Sequence, residues 1–128
     1  MKRLLLALPL ALFAGGAMAQ SMTPETHRDI WCASAYQQTI IVATLAPEDQ
    51  PRAQTFLDAA DKLMARGVAG LTASGWAADA IEKFKRDMAV KVAMQVQPEA
   101  VSDYRPEECD ALLKPLLPAD FFANQPAQ

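Results

Sequence analysis

Two cysteines carry the clearest chemistry in this sequence. Cys32 lies early in the first predicted helix, and Cys109 lies in the last one. They are too far apart for the C-x-x-C motif of redox proteins, and with a single histidine in the chain they make a poor zinc site. In an exported chain, such a pair is typical of one disulfide, and two separate buried thiols are the alternative. We therefore predict a Cys32–Cys109 bridge that joins the first and last helices.

The other reactive side chains do not form a recognisable catalytic set. His27 is the only histidine, and we expect it to be solvated in the first turn of the first helix rather than to act as a base. The serines lack a second histidine as a base, and the chain has no G-x-S-x-G motif. The sequence thus predicts a protein that is not an enzyme and uses no cofactor. An enzyme of an unrecognised kind is the alternative.

An acidic cluster near the start of the last helix is the densest charge feature. Its members are Asp103, Glu107, Glu108 and Asp110. Carboxylates at this end of a helix complement the helix dipole, and this is the predicted role. A cation site or a basic partner is the alternative, but the alternating Asp and Asn residues and the glycine of a calcium loop are absent. We predict no metal site.

Three aromatic residues mark a candidate pocket. Trp31 adjoins Cys32, Tyr36 follows about one turn later, and Phe84 lies on the apolar stripe of the third predicted helix. We expect Trp31 to shield the disulfide and fill the core. An enclosed apolar cavity near these three residues would favour a carrier of a small apolar ligand. A filled core with an exposed apolar patch would instead favour a protein-binding surface.

Periodicity and helix-capping residues predict an all-α fold, a small four-helix bundle-like domain closed by one disulfide. Thr23-Pro24-Glu25 is a typical helix start, because threonine caps the helix and proline suits its first position. Gly67 is expected to end the second helix in the left-handed conformation. Residues 115–128 form a proline-containing tail. The four helices are predicted over residues 24–45, 51–66, 74–96 and 106–114.

The first nineteen residues have the pattern of a cleaved bacterial signal peptide. Lys2 and Arg3 precede an apolar run over residues 4–14, and Ala17-Met18-Ala19 forms a cleavage site. The apolar run is shorter than the ~20 residues that span a bilayer, so a retained anchor is not expected. Residues 20–128 are thus predicted to form a single α-helical domain in the periplasm.

The charge balance restricts the partners. Without Lys2 and Arg3, ten basic residues stand against fifteen acidic ones, which gives a formal charge of −5. Binding to nucleic acid or to anionic membranes needs clustered lysine and arginine, so neither is expected, nor is stable membrane insertion of the mature chain. The expected partner is another protein, and a small apolar ligand is the alternative.

The signal peptide, the Trp31-Cys32 pair in the first helix and the late Cys109 resemble the periplasmic acid-stress chaperones. That resemblance implies a small disulfide-bonded protein that loosens at low pH and protects client proteins from aggregation. The function predicted from the residues is a non-enzymatic periplasmic protein-binding module. A ligand carrier and an acid-stress chaperone are the alternatives.

Overall fold

The computed structural model describes residues 21–123, and this part of the chain is all α-helical, as predicted. Its four helices are α1 (Pro24–Thr39), α2 (Gln50–Ala73), α3 (Ala78–Gln95) and α4 (Pro106–Leu113). Short 3₁₀ turns follow α1 at Val42–Thr44 and α4 at Lys114–Leu116. None of the helices in this range is both long and apolar enough to cross a membrane. The predicted signal peptide and the last five residues of the tail lie outside the described residues.

Helix α1 begins as predicted but ends six residues early. The Thr23 hydroxyl accepts a hydrogen bond from the Thr26 backbone N–H at 3.1 Å, and Pro24 occupies the first turn. The helix ends at Thr39, and Ile40 adopts an extended conformation. Residues 39–42 are four consecutive β-branched residues, which lose side-chain freedom in a helix. Ile41 and Leu45, which lie within the predicted but not the observed helix, are exposed.

Helix α2 continues past Gly67, so the predicted end at this glycine is wrong. Gly67 is buried in the contact with α1, and a β-carbon there would lie 2.4 Å from Cγ1 of the fully buried Ile30. One turn later, a β-carbon at Gly70 would lie 2.4 Å from the Thr26 hydroxyl oxygen. Both glycines therefore allow the two helices to approach closely. The left-handed residue is Gly75, with φ of 86°, in the turn before α3.

Helices α2, α3 and α4 all contact α1, and the core lies between α1 and these three helices. The fully buried side chains Ile30, Leu63, Leu71, Val92 and Leu113 come from all four helices. The predicted disulfide is present: Cys32 and Cys109 are bonded and buried, and they join α1 to α4. The described part of the tail folds back, since Leu117 and Phe121 are buried, whereas Phe122 is half exposed.

Candidate functional site

A cleft of about 310 Å³ opens to solvent beside the disulfide. Its walls come from α1, the end of α3, the following segment 96–105 and the start of α4. Cys109 itself belongs to the lining, so the covalent link between α1 and α4 lies at the wall of the cleft. The principal polar and aromatic lining residues are Trp31, Tyr36, Gln95, Ser102, Tyr104 and Asp110.

The structure brings together two of the three predicted pocket residues. Trp31 and Tyr36 line the cleft, but Phe84 does not. Phe84 lies eleven positions before Gln95 on the same helix, which corresponds to ~16 Å along the helix axis. There it packs against Trp76, with ring centroids 5.5 Å apart, and against His27 at 6.4 Å. Phe84 therefore lies outside the cleft, although His27 connects its ring to that of the lining residue Tyr104.

Gln95 holds the segment 96–105 against α1. The indole N–H of Trp31, a side chain that is only 3% exposed, donates to Gln95 Oε1 at 2.7 Å. Gln95 Nε2 donates to Asp103 Oδ1 at 2.9 Å, and the Asp103 backbone N–H donates to Gln95 Oε1 at 3.2 Å. The Ser102 hydroxyl also donates to the Gln95 carbonyl at 2.9 Å. One glutamine thus ties the buried tryptophan to a wall of the cleft.

The carboxylates of the acidic cluster make different contacts and do not converge on one site. Lys91 Nζ donates to Asp103 Oδ2 at 2.5 Å and holds the pKa of this carboxyl below its usual value. Glu108 accepts from the Arg105 backbone N–H at 2.8 Å, as expected of a carboxylate in a first helical turn. Asp110 accepts from the Tyr36 hydroxyl. Within residues 21–123, no group of three or more potential metal ligands is close enough to hold an ion.

Tyr36 and Asp110 form the polar end of the cleft. Burial and the hydrogen bond to Asp110 raise the pKa of the Tyr36 hydroxyl well above its ordinary value. The bond also joins α1 to α4 close to the disulfide. Tyr36 is therefore fixed in orientation, and its hydroxyl hydrogen is already donated.

His27 is not solvated, so the expectation for it was wrong. The ring is partly buried, and Nδ1 lies 2.7 Å from the Tyr104 hydroxyl oxygen. The two rings are 5.7 Å apart, and Tyr104 also packs edge-on against Trp31 at 5.5 Å. Burial, with a smaller contribution from the charge of Lys91, lowers the pKa of His27 from 6.5. At neutral pH, His27 is therefore uncharged and contacts Tyr104, a residue of the cleft lining, without lining the cleft itself.

The free energy of unfolding should decrease as the pH falls through 6.5, because of His27. The unfolded chain takes up a proton near this pH, whereas the folded state resists protonation of the partly buried ring until lower pH. The decrease in the free energy of unfolding should therefore end once the pH is below the pKa of His27 in the folded state. Urea unfolding at pH values on either side of 6.5 measures this decrease in the free energy of unfolding. Both pH values should lie above the range in which carboxylates titrate. We expect His27→Gln to flatten this profile, and an unchanged slope in the variant would contradict the assignment.

Comparisons with protein-family models, with curated proteins and with solved structures found no match for this chain. Residue roles are therefore not transferred from relatives. The candidate site rests on the cleft and its hydrogen bonds.

Proposed function

We propose that this protein is exported to the bacterial periplasm through a cleaved N-terminal signal and acts there as a non-enzymatic module that binds another protein. The pattern of residues 1–19 supports export. The buried disulfide supports an oxidising compartment, because such bonds persist outside the reducing cytoplasm.

The open cleft is the observation on which the binding proposal depends. It lies beside a packed, disulfide-linked core and is accessible from solvent, which suits insertion of a side chain from a partner. Two exposed apolar residues are close in sequence to its lining residues. Val101, which is 89% exposed, lies between the lining residues Ala100 and Ser102. Ile41, 58% exposed, follows the lining residue Thr39 by two positions. Exposed apolar surface next to a pocket is typical of protein-interaction sites.

The hydrogen bonds at the cleft support a binding role rather than catalysis. The Tyr36 hydroxyl donates to Asp110, and the only histidine of the sequence contacts the Tyr104 hydroxyl and is not part of the cleft lining. A nucleophilic hydroxyl needs a base within reach, but the Thr39 and Ser102 hydroxyls in the described lining donate to backbone carbonyls.

Carriage of a small apolar ligand is the second candidate. A volume of about 310 Å³ is at the lower end of the range for small-molecule pockets, and aromatic rings line much of the cleft. The cleft differs from the enclosed cavity that a carrier needs to shield an apolar molecule from water. For this reason we favour a protein partner.

Affinity capture from periplasm with rim variants tests the proposal. Val101→Asp places a charge at the rim of the cleft, and Val90→Asp is the matched control, because Val90 is also exposed, at 63%, on α3. We expect the wild type and Val90→Asp to capture the same protein, and Val101→Asp to lose it. Mass spectrometry of both proteins and lipids identifies what is bound. Capture of a lipid alone would favour the carrier, and equal protein capture by all three would contradict the role of the cleft.

A further inference from the structure

We propose that the cleft accepts a lysine side chain of the protein partner, with the ammonium group at Asp110 and the aliphatic stem along the aromatic and apolar wall. This inference rests on the proposed function and specifies the chemistry of its partner. Three features of the lining carry it: most hydrogen-bond donors are already used, a carboxylate oxygen is free, and much of the remaining wall is apolar.

Most donors at the cleft are directed into the protein. The Thr39 hydroxyl donates to the Ala35 carbonyl at 2.7 Å, and the Ser102 hydroxyl donates to the Gln95 carbonyl at 2.9 Å. The Trp31 indole and the Tyr36 hydroxyl are also used. Each of the two glutamine amides in the lining donates one hydrogen internally as well. An anionic or carbonyl-rich ligand would therefore find few donors, whereas a ligand that brings its own donors would find free acceptors.

Asp110 supplies the free acceptor and the charge. One of its oxygens accepts from Tyr36, and the other has no hydrogen-bond partner among residues 21–123. Among the residues that the structure describes, no lysine or arginine lines the cleft. On the neighbouring elements, Lys91 pairs with Asp103 at 2.5 Å and Arg105 with Glu108 at 3.8 Å. Lys114, one turn after Asp110, lies over the Phe122 ring at 5.7 Å from its centroid and forms no ion pair with Asp110 among residues 21–123. The formal charge of −3 on the whole chain also favours the approach of a basic partner.

The remaining wall matches the stem of a lysine. Ala35, Val96 and Ala100 provide apolar contacts, and the partly exposed rings of Tyr36 and Tyr104 lie in the same lining. Lysine commonly lays its methylene groups on apolar surface while its ammonium reaches polar groups, and tyrosine rings attract cations. Arginine is less suitable, because only one oxygen of Asp110 is free and the bidentate pairing of a guanidinium needs two.

Two blocked pentapeptides test the inference: Gly-Gly-Lys-Gly-Gly and the same peptide with norleucine, which keeps the stem and lacks the ammonium. Binding is followed by amide chemical shifts in NMR spectra at low salt. We expect the lysine peptide to bind about fivefold more tightly than the norleucine peptide, and to shift the residues of the cleft. Asp110→Asn should abolish this difference, because asparagine can still accept from Tyr36 but carries no charge. Asp120→Asn, at an exposed carboxylate outside the cleft, should leave it unchanged.

Norleucine binding that equals or exceeds lysine binding would overturn the inference and leave a cleft for apolar side chains. Lysine binding that is insensitive to Asp110→Asn, or that shifts residues elsewhere, would also overturn it. So would the absence of cleft shifts with either peptide. In each case the capture experiment with Val101→Asp still decides the proposed function, because it depends on the rim and not on Asp110.

Discussion

The variant Cys32→Ala/Cys109→Ala is expected to unfold with a free energy about 2–4 kcal/mol lower than that of the wild type. The bond closes a loop across a sequence separation of 77, and the loss of this closure gives the unfolded chain more conformational freedom. Both sulfurs are buried, at 0% and 4% residue exposure, so the variant also loses some packing in the core.

Urea unfolding followed by circular dichroism measures this effect and separates its two causes. A more expanded unfolded state should steepen the dependence on denaturant, whereas a packing defect should lower the midpoint without changing the slope. Wild-type protein unfolded in the presence of a reductant is the control, and its midpoint and slope should approach those of the variant. Equal midpoints for the oxidised wild type and the variant would show that the bridge does not stabilise the fold.

Arg66→Met should lower the free energy of unfolding by about 1–3 kcal/mol, a large effect for a residue at the surface. Asp29 is buried in α1, and its side chain is only 8% exposed. Arg66 on α2 donates to both of its oxygens, at 2.7 and 2.8 Å. This contact also raises the pKa of the arginine. Methionine keeps much of the stem of Arg66 but leaves a buried carboxylate without its cation.

Arg86→Met on α3 is the matched control, because Arg86 is exposed and makes no ion pair within residues 21–123. It should change the stability by less than about 0.5 kcal/mol. In the double variant Asp29→Asn/Arg66→Met, the loss should be smaller than the sum of the two single losses. Equal losses for Arg66→Met and Arg86→Met would show that the pair contributes nothing.

The sequence was informative where a local rule determines the structure. The start of α1 at Thr23-Pro24 and that of α4 at Pro106 follow from capping and from the fixed φ of proline, and both are present. The end of α2 was missed because a glycine can end a helix or allow a close helix contact. Only the partner side chain, Ile30, decides between the two at Gly67.

The cleft was only half predictable for a similar reason. Trp31 and Tyr36 were visible as aromatic residues near a cysteine, but Gln95 and Tyr104 carry no local signal of their roles. Gln95 meets Trp31 across 64 positions, and Tyr104 meets His27 across 77. The first contact depends on how α3 packs on α1, and the second depends on the path of residues 96–105, which no periodic pattern describes. The polar residues that hold this segment therefore became apparent only from their partners.

The close approach at Gly67 has a consequence for the shape of the cleft. Ile30, which occupies the space of the missing β-carbon, immediately precedes Trp31 in the chain. A larger residue at position 67 would push α1 away from α2 and carry Trp31 and Tyr36 towards the opposite wall. We would therefore expect a substitution at position 67, outside the cleft lining, to change the width of the entrance. Related sequences that differ in size at this position would be expected to admit side chains of different thickness, even with identical linings.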